Sequence, residues 1–126
     1  MAFNWHEYIA LSKDLIANRS DESAMRTAVS RAYYGTFGIL KPYCTSEFNI
    51  SSKESRDPKI HQKIIEKLKT SPNRLEFSVG NALSTLRDDR NIADYDSSIL
   101  ITKPKANKSI NDSRMILDTL NILLDK

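Results

Sequence analysis

An all-α fold is predicted for this chain by three observations. Only three Gly and four Pro occur in 126 residues, so few positions favour turns over continuous helix. No run of alternating β-branched residues is long enough to build a sheet. Apolar residues recur instead at three- and four-residue steps, the period of a helix that buries one face. A chain of this length suits a single compact domain, residues 1–126, with one core and little room for a second.

The first helix is expected from Asn4 as cap to about Arg19, with Phe3 packing back as a staple and Tyr8, Ile9, Leu11, Leu15 and Ile16 inward. Asn18, Ser20 and Asp21 then turn the chain. The second and longest helix is expected over Asp21 to about Tyr43, with Met25, Val29, Tyr33, Phe37 and Leu40 in one register and Pro42 helping to end it. A second face of that helix carries Ala24, Ala28, Ala32, Gly35 and Gly38, small residues that let a neighbouring helix approach closely. The polar stretch from Thr45 to Arg56 has no sustained period and reads as a mobile loop. Asp57-Pro58 supplies a cap and a first helical position for a third, shorter helix with Ile60, Ile64, Ile65 and Leu68 inward. Ser71-Pro72 repeats that grammar and opens a fourth helix through Leu75, Val79, Leu83 and Leu86 to Tyr95 or Asp96. A loop holding Lys103, Pro104 and Lys105 leads to the last helix, about Ser109 to Leu124. Its inward residues are expected to be Ile110, Met115, Ile116, Leu117, Leu120 and Leu123 or Leu124. The plan is an antiparallel up-and-down bundle of four main helices plus a shorter one.

The formal net charge is +3 and the pI about 9.0, an excess that permits an anionic partner without requiring one. No apolar run approaches the roughly 18 residues of a membrane span. The opening residues lack a basic region followed by an apolar core, so a cytoplasmic location away from membranes is expected. Cys44 is the one cysteine, which excludes an internal disulfide and a cysteine-based zinc site; beside Pro42 and without an activating base it reads as structural. Glycine-rich phosphate loops, zinc spacings, paired-histidine helices and nucleophile elbows are all missing, so no metal or cofactor is expected.

Charge is concentrated in Arg87-Asp-Asp-Arg-Asn-Ile-Ala-Asp-Tyr95. Arg90 falls on the apolar stripe between Leu86 and Ala93, and a guanidinium cannot escape burial by deprotonating. It must find carboxylates, carbonyls, a dimer partner or an anionic ligand such as phosphate. Arg87, Arg90, Asn91 and Asp94 share one helix face, with Tyr95 one turn beyond Asn91. Two guanidiniums beside an amide and a carboxylate can grip a phosphodiester by forked hydrogen bonds, with Asp94 orienting Arg90. The same residues can instead form a structural ion-pair network, as helix-end pairs commonly do. The second helix adds Arg26, Ser30 and Arg31 with Tyr33 and Tyr34, a mix able to hold a nucleotide by charge and stacking, although Tyr33 and Phe37 also fit the core. His6 and His61 stand near helix starts, where a solvent-facing or hydrogen-bonded role is the default and a general base the alternative. Lys63, Lys67, Lys69, Lys103, Lys105 and Lys108 form either a basic rim for nucleic acid or an ordinary solvated face.

Ser30-Arg-Ala-Tyr-Tyr-Gly-Thr-Phe37 and, two helices later, Leu86-Arg-Asp-Asp-Arg-Asn-Ile-Ala-Asp-Tyr-Asp96 resemble the HEPN superfamily, the "higher eukaryotes and prokaryotes nucleotide-binding" domains, over nearly the whole chain. The resemblance implies an antiparallel helical bundle that forms a homodimer, with the Arg-containing helix ends of two subunits around a shared cleft. It also implies a microbial toxin–antitoxin or defence system and metal-independent endoribonuclease activity. Arg87, Arg31 and Tyr34 are then the contacts to RNA or nucleotide. The family signature is an Arg, a polar residue that is often Asn, and a His four to six residues after the Arg. Arg90 and Asn91 match the first two, while positions 94 to 96 read Asp94, Tyr95 and Asp96. An unperturbed tyrosine titrates near pH ~10, so proton transfer falls to Asp94, Tyr95 or a distant His, with the arginines stabilising the charge on phosphorus. In some paired toxins that this chain resembles, a nucleotidyltransferase antitoxin modifies a tyrosine close to the signature. Tyr95 is the matching candidate, and negative charge there would take the place of the RNA phosphate beside Arg87 and Arg90. The missing His favours the alternative, a non-catalytic binding or immunity module that recognises a protein or nucleotide.

Overall fold

Side-chain caps open most of the helices in the computed structural model, which describes residues 2–125. The elements are α1 (His6–Asn18), α2 (Glu22–Glu47), α3 (Ser52–Ser55), α4 (Ile60–Lys69), α5 (Arg74–Tyr95) and α6 (Lys103–Leu124), and no strand occurs among the described residues. Four long helices and the shorter α4 make the expected all-α bundle, to which α3 adds one turn. Before α1, Asn4 Oδ1 accepts from His6 N at 3.1 Å, and the Phe3 ring packs on Tyr8 with centroids 4.9 Å apart. The staple is as expected, while the residue at the cap position of α1 is Trp5, with Asn4 bonding the helix start from one residue before it. Asp21 caps α2 by accepting from Ala24 N at 3.2 Å.

Helix α2 is the hub and packs on α1, α4, α5 and α6. Its small-residue face does what its spacing predicts. A methyl group on Gly35 would come within 2.8 Å of Ile9 Cδ1, and one on Gly38 would overlap the Trp5 indole. Only hydrogen at these two positions lets the start of α1 lie against α2. Ser12 is fully buried at the same crossing and donates to Ala28 O at 2.8 Å. Two apolar clusters lie along α2. Ile16, Ala24, Met25, Ala28, Val29, Ala93, Ile101 and Ile110 fill one end. Tyr33, Phe37, Leu40, Ile64, Leu68, Leu83, Leu86 and Ile116 fill the other. Each fully buried leucine there contributes about 1.5–3 kcal/mol.

Several boundaries and faces differ from expectation. Helix α2 does not end near Tyr43 but runs through Pro42 to Glu47. The cost of an interior proline is about 3 kcal/mol. It is offset here because Cys44 is fully buried and the Tyr43 hydroxyl donates to the buried Glu76 carboxylate at 2.5 Å. The stretch read as a loop is structured: Asn49 takes a left-handed turn (φ 53°), and a reciprocal Ser51–Glu54 capping box starts α3. Asp57-Pro58 forms the turn before α4 rather than its first residues, and Asn73, not Ser71, caps α5 by accepting from Leu75 N and Glu76 N. Helix α6 begins six residues earlier than expected: Thr102 caps it, and Pro104 occupies its first turn. Leu11 and Met115, expected inward, are 41% and 39% exposed, and of the last two leucines Leu123 is the buried one. No described helix is long and apolar enough to cross a membrane.

Candidate nucleic-acid interface

Three helices bring their polar side chains together around Tyr33 and Tyr34. Helix α2 supplies Ser30, Arg31 and both tyrosines, α5 supplies Arg87, Arg90 and Asp94, and α4 supplies His61. Arg90 is 8% exposed, and its guanidinium carbon stands 5.3 Å from the Tyr33 ring centre and 5.2 Å from that of Tyr34. Cation–π attraction holds it there. Its nearest carboxylate, Asp94 Oδ2, lies 3.8 Å from Nη1, too far for a hydrogen bond. Asp94 instead accepts from the Ser30 hydroxyl at 3.3 Å, and Ser30 Oγ in turn accepts from Arg31 Nη2 at 3.1 Å. Arg31 stands over the rings of Tyr8 and Tyr34, at 4.9 and 5.0 Å. Asp94 therefore hydrogen-bonds neither arginine directly: it lies within ion-pair distance of Arg90 and reaches Arg31 through Ser30.

Two buried nitrogens of this cluster, Arg87 Nε and Arg90 Nε, have no hydrogen-bond partner among the described residues. Leaving such a donor unsatisfied costs about 1–3 kcal/mol, more for a charged group. An acceptor for either nitrogen would offset that cost.

His61 is the residue that sequence reasoning undervalued. It carries the same face of α4 as Ile65 and Leu68, four and seven residues on, which is the signal that marks it as inward. Its ring stacks on Phe37 with centroids 3.9 Å apart, and Nδ1 lies 2.7 Å from the buried Tyr33 hydroxyl. Burial first, then the charges of Arg87, Arg90 and Lys41, lower its pKa to about 4. The imidazole is thus neutral at neutral pH. Burial raises the Tyr33 phenol, an effect partly opposed by Arg87 and Arg90.

A stability signature follows from the depressed histidine. Between its ordinary value near 6.5 and about 4, the unfolded chain binds a proton that the folded chain refuses. Stability conferred by the neutral ring is present above pH ~6.5 and declines as pH falls toward ~4. Urea midpoints measured across this window should drop for the wild type, and by less for His61→Gln. Equal pH dependence of the two proteins would place the titration elsewhere.

The remaining predicted residues separate. Asn91 is exposed and lines, with Arg87, Gln62 and Lys69, a groove between α4 and α5 whose lining does not include Arg90. Tyr95 is 78% exposed at the end of α5. Arg26 is structural: it donates to the carbonyls of Ile92, Ala93, Asp96 and Ile99. Among the lysines, Lys63 and Lys67 line one groove on α4 with Lys59, Lys63 also pairing with Glu54, whereas Lys108 pairs with Asp89 and Asp112 and Lys105 donates to Leu100 O. His6 is exposed beside Asn4. Burial and the nearby Glu76 raise the Cys44 thiol to about 12, in keeping with a packing role. Comparisons of the chain with family models, curated proteins and solved structures return no match.

Proposed function

We propose that this chain is a HEPN-type protein that binds RNA or nucleotide phosphate through Arg31, Arg87 and Arg90. In this reading it acts as a homodimer in a microbial toxin–antitoxin or defence system. The observation that carries the binding reading is Arg90, a guanidinium nine-tenths buried whose Nε has no acceptor. A structural arginine in such a position is ordinarily saturated by carboxylates or carbonyls, as Arg26 is in this same chain. The sequence resemblance supplies the class of ligand and the biological setting. Exposed Tyr95 stays the candidate for modification by a nucleotidyltransferase-type antitoxin, since a partner enzyme can reach it.

The test is the salt dependence of single-stranded RNA binding. Three arginines neutralising phosphates give a slope of log K against log salt of roughly −2, taking about 0.7 per phosphate on a single strand. Affinity that is absent, or indifferent to salt, sinks the reading.

His61 favours a second step, metal-independent cleavage. In the tautomer that donates Nδ1–H to the Tyr33 oxygen, Nε2 is free to take the proton of a ribose 2′-hydroxyl. The 2′-oxygen then bonds to phosphorus, the bond to the 5′-oxygen breaks, and the leaving oxygen takes the proton back from the imidazolium. Phosphate bound on Arg87 and Arg90 offsets two of the charges that hold His61 low, moving it toward the working range of a general base. Cleavage in EDTA, lost in His61→Gln with binding retained, supports the step. Binding without cleavage assigns the non-catalytic module instead.

A further inference from the structure

A groove of about 560 Å³ runs beside the arginine cluster, between the start of α1, the middle of α2 and α4. Aromatic rings line it: Trp5, Tyr34, Phe37 and His61, with Lys41 as its cation. Two of these rings belong to both places. Tyr34 lies under Arg90 and Arg31, and His61 is hydrogen-bonded to Tyr33, over which Arg90 also stands. The groove therefore borders the arginine cluster through these two shared rings, while Arg87 and Arg90 themselves lie just outside its lining.

The local backbone is built to present the indole. Gly38 has no side chain, and a methyl group there would overlap the Trp5 ring. Trp5 is 38% exposed, lies edge-on to Phe3 with centroids 5.1 Å apart, and forms one wall of the groove. Aromatic rings lining a groove beside a cluster of incompletely paired guanidiniums match the chemistry of an unpaired nucleotide. The phosphate suits guanidinium forks and the base suits ring faces. A duplex would hide its bases from such rings.

We propose that this groove seats an unstacked base of single-stranded RNA whose adjacent phosphate lies on Arg90 and Arg87, an inference that rests on the phosphate-binding reading above. The base lies among Trp5, Tyr34 and His61, and Lys41 faces the next phosphate along the strand. Free nucleotide shares this chemistry, but the groove continues past the rings to Thr45 and Ser55, which gives room for a strand rather than a lone ring.

Trp5 is the one tryptophan of the chain, so its fluorescence reports the groove directly. The experiment titrates wild-type protein with a short oligouridylate, with the same backbone made wholly abasic, and with uridine monophosphate, following both tryptophan emission and anisotropy of labelled oligomer. Expected are quenching of Trp5 by the oligouridylate, roughly tenfold weaker binding of the abasic strand, and a similar loss in Trp5→Leu. Thr45→Glu, a groove-wall change that leaves the indole in place, should weaken the oligouridylate several-fold and guards against misreading a loosened α1.

Oligouridylate binding that depends on Arg90, with Trp5 emission unchanged and abasic strand bound equally, overturns the groove and leaves the phosphate site standing. Monophosphate bound as tightly as the oligomer, with the same quenching, overturns the assignment to a strand. If none of the three ligands binds, both readings are overturned together.

Discussion

Arg90→Met should weaken RNA binding about a hundredfold while leaving the melting temperature unchanged or higher. The affinity loss is that of a forked, charge-assisted contact, about 2–3 kcal/mol. Stability should not follow it down, because the native arginine is held at a cost. It is 8% exposed, its Nε lacks an acceptor, and its closest carboxylate oxygen lies 3.8 Å away. Methionine has a similar length, keeps the packing on Tyr33 and Tyr34 through a favourable sulfur–aromatic contact, and removes a desolvated charge. Asp94 is not stranded by the change, since Ser30 still donates to it. Arg90→Lys preserves the charge without the planar fork, and an intermediate loss of about tenfold is expected. Thermal melts and anisotropy titrations on the three proteins decide the matter. If the cluster were only a structural ion-pair network, the order would invert, with Arg90→Met melting earlier or losing dimer and no binding to lose.

The bundle is legible in the sequence wherever burial is apolar, and less so where the helices come closest. Leu11 and Met115 have the right hydrophobicity and nearly the right register for the core, yet Ser12 and Ser113 take the inward positions. Small hydroxyl residues allow close crossings and satisfy themselves there: Ser12 donates to Ala28 O, and Ser113 shares a 2.6 Å hydrogen bond with Thr36. Periodicity in hydrophobicity does not register such serines. Pro42 misleads in the opposite direction, because a local breaker is overruled by the burial of Cys44 and the anchoring of Tyr43 beyond it. For the interface, the inward lean of Arg90 is readable from its place between Leu86 and Ala93. Its meeting with His61 is not, since that depends on how α4 docks against α2 and α5. His61, contributed by another helix, hydrogen-bonds the hydroxyl of Tyr33, over whose ring Arg90 stands.

Arg26→Ala should lower stability by about 2–3 kcal/mol, close to 10 °C in melting temperature for a chain of this size. Read along α2, Arg26 looks like one more cation for a nucleotide. In the fold it closes the far end of α5. Its Nη1 donates to Ile92 O at 3.2 Å and Ala93 O at 2.9 Å, and its Nη2 to Asp96 O at 3.0 Å and Ile99 O at 2.5 Å. Three of these acceptors belong to the last turn and cap of α5, where helix geometry leaves carbonyls without intrahelical donors and where the macrodipole favours a cation. Glu22 completes the arrangement: it pairs with Arg26 at 3.1 Å and accepts from Ile101 N at 2.9 Å, tying the 96–101 connection to the start of α2. Those two contacts, with the backbone bond first, lower the Glu22 carboxyl. Truncating the arginine releases the whole connection, and Arg90 sits less than two turns upstream of it. Arg26→Ala should therefore also weaken RNA binding several-fold, by loosening Asp94 and Arg90 rather than by removing a contact. Arg26→Lys should recover less than half of the lost stability, because one ammonium cannot span carbonyls that the planar guanidinium bridges. Hydrogen exchange localises the effect: amides of residues 92–101 should exchange faster in Arg26→Ala while those of the Leu83 and Leu86 turns stay protected. Uniformly faster exchange would show that the arginine stabilises the bundle globally and not this helix end.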